Sequence, residues 1–373
     1  MLSKTLYVYP QWHTVSFTLV AKKHIEYMRR LGADIVEIDE KVFPSFTPVI
    51  QYTTIIHPAI YILSRVYDSR RGVLSERPRE ALKRYVYQWK KNFREFVCID
   101  VADSDRISSE AVDYLDTCDK IIVPSNASRE AYISSGVRRR VFVVPHGLDP
   151  EWYDTPNIFS SPPQKPINPS ILLLTYLKYE HRKKLLLFWL WHSHERKGWD
   201  EVKEIYRRVR REREDVVLVL KTAFQRSQQA MEVSDLGVVE IYGWLDEYSK
   251  MALYDISDIV LTPSRGGGFE LNTLEALARG VPVIAVDNGC FRDYVPDYLR
   301  AKKGERVKVL PGNSIHVGYG YKVDVEDATR KVLDILDKYD EYKAKVDEYR
   351  RKILRNRYRW DIVAKELINV LGK

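Results

Sequence analysis

The sequence predicts an α/β protein of two domains, each with a parallel β-sheet flanked by helices. A chain of 373 residues is too long for one ordinary hydrophobic core. Short apolar runs alternate with segments of helical period, as in parallel βαβ units. Residues 145–169 hold seven prolines and separate two such series. We therefore predict domains at 1–160 and 161–344, with a terminal helix, 345–373, that packs back across the junction.

The first domain is predicted from five apolar runs and the helices between them. Helix-starting serines and helix-ending glycines flank the helical segments. The predicted strands are 5–9, 34–38, 97–101, 120–124 and 141–145, and the predicted helices are 17–31, 125–134 and one that begins at Ser108.

The second domain repeats this alternation. The segment 171–179 is compatible with a helix or a strand, and residues after Val323 read as helical, with one long stretch over 342–371. The remaining predicted strands are 185–191, 216–221, 238–242 and 259–262, and the predicted helices are 200–211 and 246–254.

A glycine-rich loop follows the predicted strand 259–262, in the sequence PSRGGGFELNTLEALARGVPVIA (263–285). Successive glycines let backbone N–H groups approach a ligand closely, and the helix that follows presents its amino end to an anion. Glu275 would lie one turn into that helix, within reach of ribose or sugar hydroxyls. The loop therefore predicts an anion and sugar site, although a βαβ connection whose glycines only turn the chain has the same pattern.

The chain carries a formal net charge of +8 and a pI near 9.1. Such a charge suits nucleic acid, an anionic membrane or anionic substrates. No nucleic-acid motif accompanies it, so we predict no nucleic-acid partner. Basic residues are densest over 65–94, where aromatic residues are interleaved. This segment is either a solvated helix face or a peripheral contact with an anionic membrane.

Composition also bears on the compartment. No run of 18 uncharged apolar residues and no secretory leader occur, so we predict a cytoplasmic protein, with the inner face of the membrane as its peripheral site. Abundant charge and tyrosine with few Cys and Met are typical of a thermophile. Cys98, Cys118 and Cys290 lie far apart, which predicts buried thiols rather than disulfides or zinc ligands. His192 and His194 lack a third ligand at useful spacing, so we predict no metal.

The loop 263–285 resembles the donor-site signature of retaining glycosyltransferases with the GT-B fold, specifically glycosyltransferase family 4. The resemblance continues in order over roughly residues 97–300. It includes KIIVPSNASREAYISSGV, VFVVPHGLDPEWY, HSHERKGWDEVKEIY and YGWLDEYSKMALYDISDIVLTPS, and WDIVAKELINVL resembles the family's closing helix. The resemblance implies two Rossmann-like domains whose parallel sheets face each other across a cleft, with the acceptor on the first and the donor on the second.

The resemblance also implies roles for donor-side residues. Arg196 and Lys197 would hold the donor diphosphate, and Glu275 would bind the ribose. The amides around Gly267, Gly268 and Phe269 would assist at the helix start. Lys221 would line the nucleotide pocket or serve a structural role. The family's first glutamate falls on Gly267 and its second loop glycine on Glu270, so Glu270 is our candidate for the missing carboxylate.

Acceptor-side residues depart further from the family. Its usual histidine is missing after the strand 97–101, so Asp103 or Asp105 would orient the acceptor hydroxyl, unless they only cap the helix near Ser108. Trp12 and His13 stand where the family often has paired glycines beside the donor phosphates.

The implied activity is metal-independent transfer of a sugar, with retention, from a nucleoside diphosphate sugar to a hydroxyl of a saccharide or lipid-linked acceptor. No cofactor besides this donor substrate is implied. Gly267 motivates an alternative, a GT-B protein that binds nucleotide sugars without turnover. A nucleotide-sugar epimerase that uses Glu270 and His13 is the second alternative.

Overall fold

The computed structural model describes residues 4–13, 15–71, 79–190, 194–223 and 228–372. The chain folds as two compact units. The first unit comprises the described residues up to Gly147, Leu310–Gly318 and the chain from Tyr358 onward. The second unit comprises Leu148–Val309 and Tyr319–Arg357.

Residues 148–160 lie in the second unit, whereas the sequence analysis assigned them to the first. Arg279 anchors this segment, since its guanidinium donates to the backbone oxygens of Trp152, Thr155 and Pro156 at 2.8–3.0 Å. The amide of Ile158 donates to the Asp255 carboxylate at 2.8 Å. These bonds tie the chain to the second unit before the prolines end.

Six parallel strands form the sheet of the first unit, in the order β2-β1-β3-β4-β5-β6. They are β1 (Thr5–Tyr9), β2 (Ile35–Asp39), β3 (Thr53–Ile56), β4 (Glu95–Ile99), β5 (Lys120–Val123) and β6 (Arg140–Val143). The sequence analysis missed β3, because two of its four residues are threonines and no long apolar run marks it. All four of its residues are nevertheless buried in the middle of the sheet.

Helices connect these strands in the described part of the chain. They are α1 (Ser16–Arg30), α2 (Ala59–Arg71), α3 (Arg79–Lys90), α4 (Ser109–Leu115) and α5 (Asn126–Ser134). The side chains of Ser108 and Ser125 cap α4 and α5, as the sequence indicated. Gly32, with φ of +85°, follows the end of α1, a conformation that favours glycine.

Cys98 and Cys118 form a disulfide, so the prediction of three buried thiols is wrong for this pair. Cys98 lies in β4, and Cys118 lies two residues before β5. The pairing of these parallel strands brings the two Cα atoms within 5.9 Å across 20 residues of chain, which spacing alone does not reveal. Cys290 is a buried free thiol, as predicted.

The second unit has a six-stranded parallel sheet, in the order β12-β11-β10-β7-β8-β9, and a separate antiparallel hairpin of β13 and β14. Its strands are β7 (Lys184–Leu190), β8 (Val216–Thr222), β9 (Val238–Ile241), β10 (Ile259–Thr262), β11 (Val283–Val286), β12 (Arg300–Ala301), β13 (Lys303–Lys308) and β14 (Tyr319–Val323).

The helices of the second unit include the segment left open over 171–179, which is helical. They are α6 (Glu151–Asp154), α7 (Pro169–Tyr179), α8 (His194–Lys197), α9 (Trp199–Glu212), α10 (Gln228–Met231), α11 (Glu247–Ile256), α12 (Leu271–Ala278), α13 (Phe291–Tyr294), α14 (Val325–Asp337) and α15 (Tyr339–Tyr349). A π-helical turn, Arg350–Leu354, follows α15.

The predicted long helix over 342–371 is interrupted. Its last part is α16 (Trp360–Leu371), which packs on α1 in the first unit, where the rings of Trp360 and His24 lie 5.5 Å apart. The residues before Tyr358 remain with the second unit.

The aromatic residues of the basic segment 65–94 mostly fill the core. Trp89 and Phe93 are buried among Phe43 and Phe96, and Tyr87 donates to a backbone oxygen. This packing removes the aromatic support for a membrane contact, although residues 72–78 lie outside the described part. Among the described residues, no helix is both long and apolar enough to cross a bilayer.

Candidate active site

The order in which the chain adds strands to the second sheet reverses between β7 and β10, which are themselves parallel. After β7 the chain adds β8 and β9 on one side, whereas β10, β11 and β12 extend the other side. In open parallel sheets, ligands bind at such a switch point, beside the carboxyl ends of the strands. Here the short helix α8 follows β7, and the glycine-rich loop follows β10. The loop and the helix are joined directly, since the Arg265 amide donates to the Arg196 backbone oxygen at 2.8 Å.

Two cations of α8 meet the carboxylate that ends the glycine-rich loop. Arg196 Nη1 lies 3.3 Å from Glu270 Oε1, and Lys197 Nζ donates to Glu270 Oε2. Arg196 also donates to the Gly266 backbone oxygen at 2.9 Å. Arg196 and Glu270 are both buried. Two cationic side chains and one carboxylate therefore meet at this point.

Glu270 occupies the space beside Gly267. A Cβ added to Gly267 would lie 2.7 Å from Glu270 Oε1 and 3.3 Å from Arg196 Nη1. The first distance is shorter than any real Cβ contact, so a side chain at 267 would displace the carboxylate. The Glu270 carboxylate therefore stands next to the backbone position from which the family's first glutamate would project.

Aromatic packing supports the turn between the loop and α12. The rings of Phe269 and Tyr294 stack with their centroids 4.8 Å apart, and the Tyr294 hydroxyl donates to the Glu270 backbone oxygen at 3.0 Å. Tyr294 is fully buried, so both contacts fix the residue that precedes the helix.

Glu275, the predicted ribose ligand, lies buried in α12. It accepts a hydrogen bond from the Tyr254 hydroxyl at 2.7 Å and pairs with Lys250 Nζ at 2.8 Å. Burial alone would lower the pKa of Lys250, but the carboxylates of Glu275 and Glu247 raise the pKa above its usual value. Lys250 therefore remains charged and holds the Glu275 carboxylate in place.

Lys221, the last but one residue of β8, is buried and donates to the backbone oxygens of Thr222 at 2.7 Å and Gly243 at 2.6 Å. Burial and the nearby charge of Lys250 lower its pKa to about 8. These bonds give the structural role of Lys221 a physical basis, and a place in the nucleotide pocket stays a prediction.

The acceptor-side aspartates follow β4 in the first unit. Asp103 is partly buried and Asp105 is exposed. The Asp103 amide donates to His316 Nδ1 at 3.3 Å, and Ser108 itself caps α4. His316 belongs to Leu310–Gly318, more than 200 residues away, so no local signal in the sequence indicated it.

The loop after β1 places Trp12 and His13 at the surface of the first unit. Trp12 is 79% exposed. His13 Nε2 lies 3.8 Å from Oε1 of the buried carboxylate of Glu40. Glu40 immediately follows β2, and the sequence analysis did not single it out.

A buried cluster of histidines lies in the first unit and was also missed. The Tyr7 hydroxyl bridges His24 Nδ1 at 2.8 Å and His57 Nδ1 at 3.3 Å, and the rings of His146 and Trp360 pack against His24. Burial lowers the pKa of both His57 and His146 to about 3. Across the described residues, no group of three or more His, Cys, Asp or Glu side chains could hold a metal ion.

Comparisons with known proteins assign this arrangement to a family. Residues 183–313 match the family model described as Glycosyl transferases group 1. Over its full length the chain is 31% identical to uncharacterized protein 356 of Sulfolobus islandicus rod-shaped virus 1, with 99% of that protein covered. The chain belongs to the family of this viral protein. Its residues 183–313 are a group 1 glycosyltransferase domain, which contains Arg196, Lys197, Glu270 and Glu275.

Another relative points to the same activity. The chain is 29% identical over 284 residues to the putative glycosyltransferase 45 of Sulfolobus islandicus filamentous virus (isolate Iceland/Hveragerdi), a match that covers 74% of each protein. This relative and the group 1 glycosyltransferase domain support sugar transfer as the activity of the chain.

Solved structures show the fold. The chain is similar to sucrose-phosphate synthase from Thermosynechococcus elongatus, with a TM-score of 0.63, 14% identity and coverage of 99% of this chain and 98% of that chain. It is also similar to an α,α-trehalose-phosphate synthase (UDP-forming) from Burkholderia xenovorans in complex with glucose-6-phosphate, with a TM-score of 0.62, 11% identity and coverage of 94% and 77%. Together with the two six-stranded parallel sheets, these likenesses show the GT-B fold.

Proposed function

We propose that the chain is a retaining glycosyltransferase that moves a sugar from a nucleoside diphosphate sugar to a hydroxyl of a saccharide or lipid-linked acceptor, without a metal ion. The observation that carries the proposal is the meeting of Arg196, Lys197 and Glu270 at the switch point of the second sheet. All three lie within the group 1 glycosyltransferase domain.

Arg196 and Lys197 would offset the charge that develops on the leaving diphosphate. Fixed cations in a desolvated site stabilise such charge without reorganisation during the reaction. The amides around Gly267, Gly268 and Phe269, at the start of α12, would add neutral donors to the same phosphates.

Glu270 would contact the donor sugar in place of the family's first glutamate. The close approach of its carboxylate to Gly267 supports this role, because a glutamate at 267 would project from that same place. Two positions have in effect exchanged residues, glycine for glutamate, while a carboxylate stays beside the cations. Glu275, held by Tyr254 and Lys250, would bind the ribose hydroxyls.

The engagement of these carboxylates argues against a double displacement through a covalent glycosyl-enzyme intermediate. Glu270 is bound to Arg196 and Lys197, and Glu275 is bound to Lys250 and Tyr254. A carboxylate nucleophile would need to leave such partners to attack the sugar. Transfer on one face of the sugar, in which the leaving diphosphate accepts the proton of the acceptor hydroxyl, needs no protein nucleophile. Asp103 or Asp105 would orient that hydroxyl.

The test is a donor panel that measures nucleoside diphosphate release. UDP-sugars come first, because one solved neighbour is described as UDP-forming, and GDP- and ADP-sugars follow. We expect one donor to be consumed, and Lys197→Met to lower kcat/KM by roughly 100- to 1000-fold. Lys203→Met is the matched control, because Lys203 lies on α9 of the same unit and pairs with Glu232 instead of Glu270. Equal losses in both variants would contradict the phosphate role.

A double exchange tests the assignment of Glu270. We expect Gly267→Glu alone to abolish donor turnover, because its Cβ displaces the Glu270 carboxylate. Gly267→Glu with Glu270→Gly restores one carboxylate beside the cations and should recover much of the activity. The proton NMR coupling of the anomeric proton in the product then reports retention or inversion.

A nucleotide-sugar-binding protein without turnover is the second candidate, and Gly267 is the observation that favours it. Calorimetric binding of a nucleotide sugar, with no release of diphosphate from any donor or acceptor combination, would select it over the transferase. Conversion of a donor into its epimer, followed by NMR, would select an epimerase.

A further inference from the structure

Glu40 is a buried carboxylate whose oxygens accept no hydrogen bond from any described residue. Its side chain is 0% exposed. An ionised carboxylate in such surroundings normally accepts several hydrogen bonds, because burial without them costs several kcal/mol. Glu40 therefore lacks, within the described chain, the donors that a buried carboxylate requires.

A guanidinium and an imidazole lie near Glu40 without hydrogen-bonding it. Arg65 Nη2 lies 3.7 Å and His13 Nε2 3.8 Å from the same atom, Glu40 Oε1. The side chains of Arg65 and His13 are 38% and 49% exposed, so the carboxylate lies directly beneath the surface that they form.

These three residues come from successive connections at one edge of the sheet. His13 follows β1, Glu40 follows β2 and Arg65 lies on α2, which follows β3. The Gln11 amide donates to Asp39 at 3.0 Å, which joins the loop after β1 to the end of β2. The strand order reverses between β1 and β3. In open parallel sheets, ligands bind beside the carboxyl ends of the strands at such a point, where these three residues lie.

The chemistry of the three side chains selects the ligand. A cationic group would be repelled by Arg65, and an anionic group would meet the Glu40 carboxylate. A neutral polyol satisfies both, because its hydroxyls donate to the carboxylate and accept from the guanidinium or imidazole. The indole of Trp12, 79% exposed beside His13, offers a flat apolar surface for the C–H face of a sugar ring.

We propose that Glu40, His13, Arg65 and Trp12 form the subsite that holds a neutral saccharide unit of the acceptor. The proposal rests on the proposed function and identifies the class of acceptor. Glu40 is the specificity-determining residue, since hydroxyls of the sugar supply the hydrogen bonds that its oxygens lack once the partly exposed side chains of His13 and Arg65 move aside.

The test measures acceptor binding without any donor. Methyl α-glucopyranoside, methyl α-mannopyranoside and methyl β-galactopyranoside are titrated into the full chain, followed by saturation-transfer NMR and tryptophan fluorescence. We expect at least one to bind the wild type, and Glu40→Gln to weaken that binding by about 10- to 100-fold, the usual range for a lost hydrogen bond to a charged group. Trp12→Ala should remove the fluorescence change, whereas Trp244→Ala, an exposed tryptophan of the second unit, should not.

Controls separate this proposal from the proposed function. Glu26→Gln, on the exposed face of α1, should bind the glycosides as the wild type does. UDP binding, measured by calorimetry, should be the same in Glu40→Gln and in the wild type, so loss of the donor site and loss of the acceptor subsite are distinct results. Equal glycoside binding by wild type and Glu40→Gln would overturn the proposal. Absence of wild-type binding up to about 100 mM glycoside, or binding of glucose 6-phosphate alone, would also overturn it.

Discussion

The two units bury polar groups in opposite ways. The first unit buries three histidines near Tyr7, and burial lowers the pKa of each, which keeps them uncharged near neutral pH. The second unit buries ion pairs, such as that of Arg279 and Asp255, whose side chains are both 1% exposed. The difference teaches that the stability of the first unit depends on proton concentration, whereas that of the second depends on intact charge pairs.

Acid should give the largest difference between the two units, because the buried histidines that it protonates on unfolding lie in the first unit. The pKa of His57 and His146 is about 3 in the folded unit and about 6.5 in the unfolded chain, so below pH 6.5 the unfolded state binds more protons. Stability therefore falls as the pH falls from 6.5 towards 3. At pH 4.5 each histidine costs about 2.7 kcal/mol, roughly 5 kcal/mol for the pair. His24 acts in the same direction, whereas Asp100 of the same unit, whose pKa burial raises to about 7, partly offsets this loss.

Hydrogen exchange at several pH values, corrected for intrinsic rates, measures this effect unit by unit. Peptides from β1 and α16 should lose protection between pH 6.5 and 4.5, while peptides from β7 and β10 keep theirs. His146→Gln should remove about half of the effect of the pair. His181→Asn, an exposed histidine of the second unit, is the control and should change nothing. Equal loss of protection in both units would contradict the interpretation.

Breaking the buried pair should weaken the second unit by a comparable but smaller amount. Arg279→Met leaves the Asp255 carboxylate buried without its bidentate partner and frees three backbone oxygens. We expect a loss of about 3–5 kcal/mol in the free energy of unfolding, measured by urea denaturation. Arg208→Met, which removes an exposed pair with Glu204 on α9, should cost at most about 0.5 kcal/mol. Recovery in Arg279→Met with Asp255→Leu would show that the uncompensated charge causes the loss.

The sequence predicted the elements whose signal lies within one continuous segment. Apolar runs located most strands of both sheets to within a few residues, and the glycine-rich loop with α12 was recognised from one continuous segment. The strand β3 was missed because TTII carries too little apolar signal. The interruption before α16 was missed because Arg355 to Arg359 suit a helix as well as a turn.

Contacts between distant segments were beyond the reach of the sequence. The disulfide of Cys98 and Cys118 depends on which strands are neighbours, and the approach of His316 to Asp103 depends on how Leu310–Gly318 returns to the first unit. The meeting of Glu40 with His13 and Arg65 needs three connections at one sheet edge. The sequence shows glycine at 267 and glutamate at 270, but only the structure shows that the Glu270 carboxylate lies beside Gly267.

Loss of the disulfide should lower the stability of the first unit, because the described cysteines form this covalent link in that unit only. A loop of 20 residues predicts that Cys98→Ser with Cys118→Ser costs about 3 kcal/mol. Urea denaturation with and without reductant measures this cost, and the double variant should no longer respond to reductant. Three titratable thiols in unreduced, denatured wild-type protein would contradict the disulfide.

The smallest effect should come from Glu40, one of the buried carboxyl groups of the first unit. Burial raises the pKa of Glu40, with Arg65 and His13 only partly offsetting it, so ionisation of Glu40 costs more in the folded state than in the unfolded chain. Glu40→Gln removes that cost, and we expect a gain of the order of 1 kcal/mol in urea denaturation, as is common when a functional group is neutralised. Glu26→Gln should show no gain, because Glu26 is partly exposed and paired with Lys23 and Arg30. A more stable Glu40→Gln protein that binds glycosides poorly would show that the charge is kept for the ligand, whereas a destabilised variant would mean that Glu40 supports the fold.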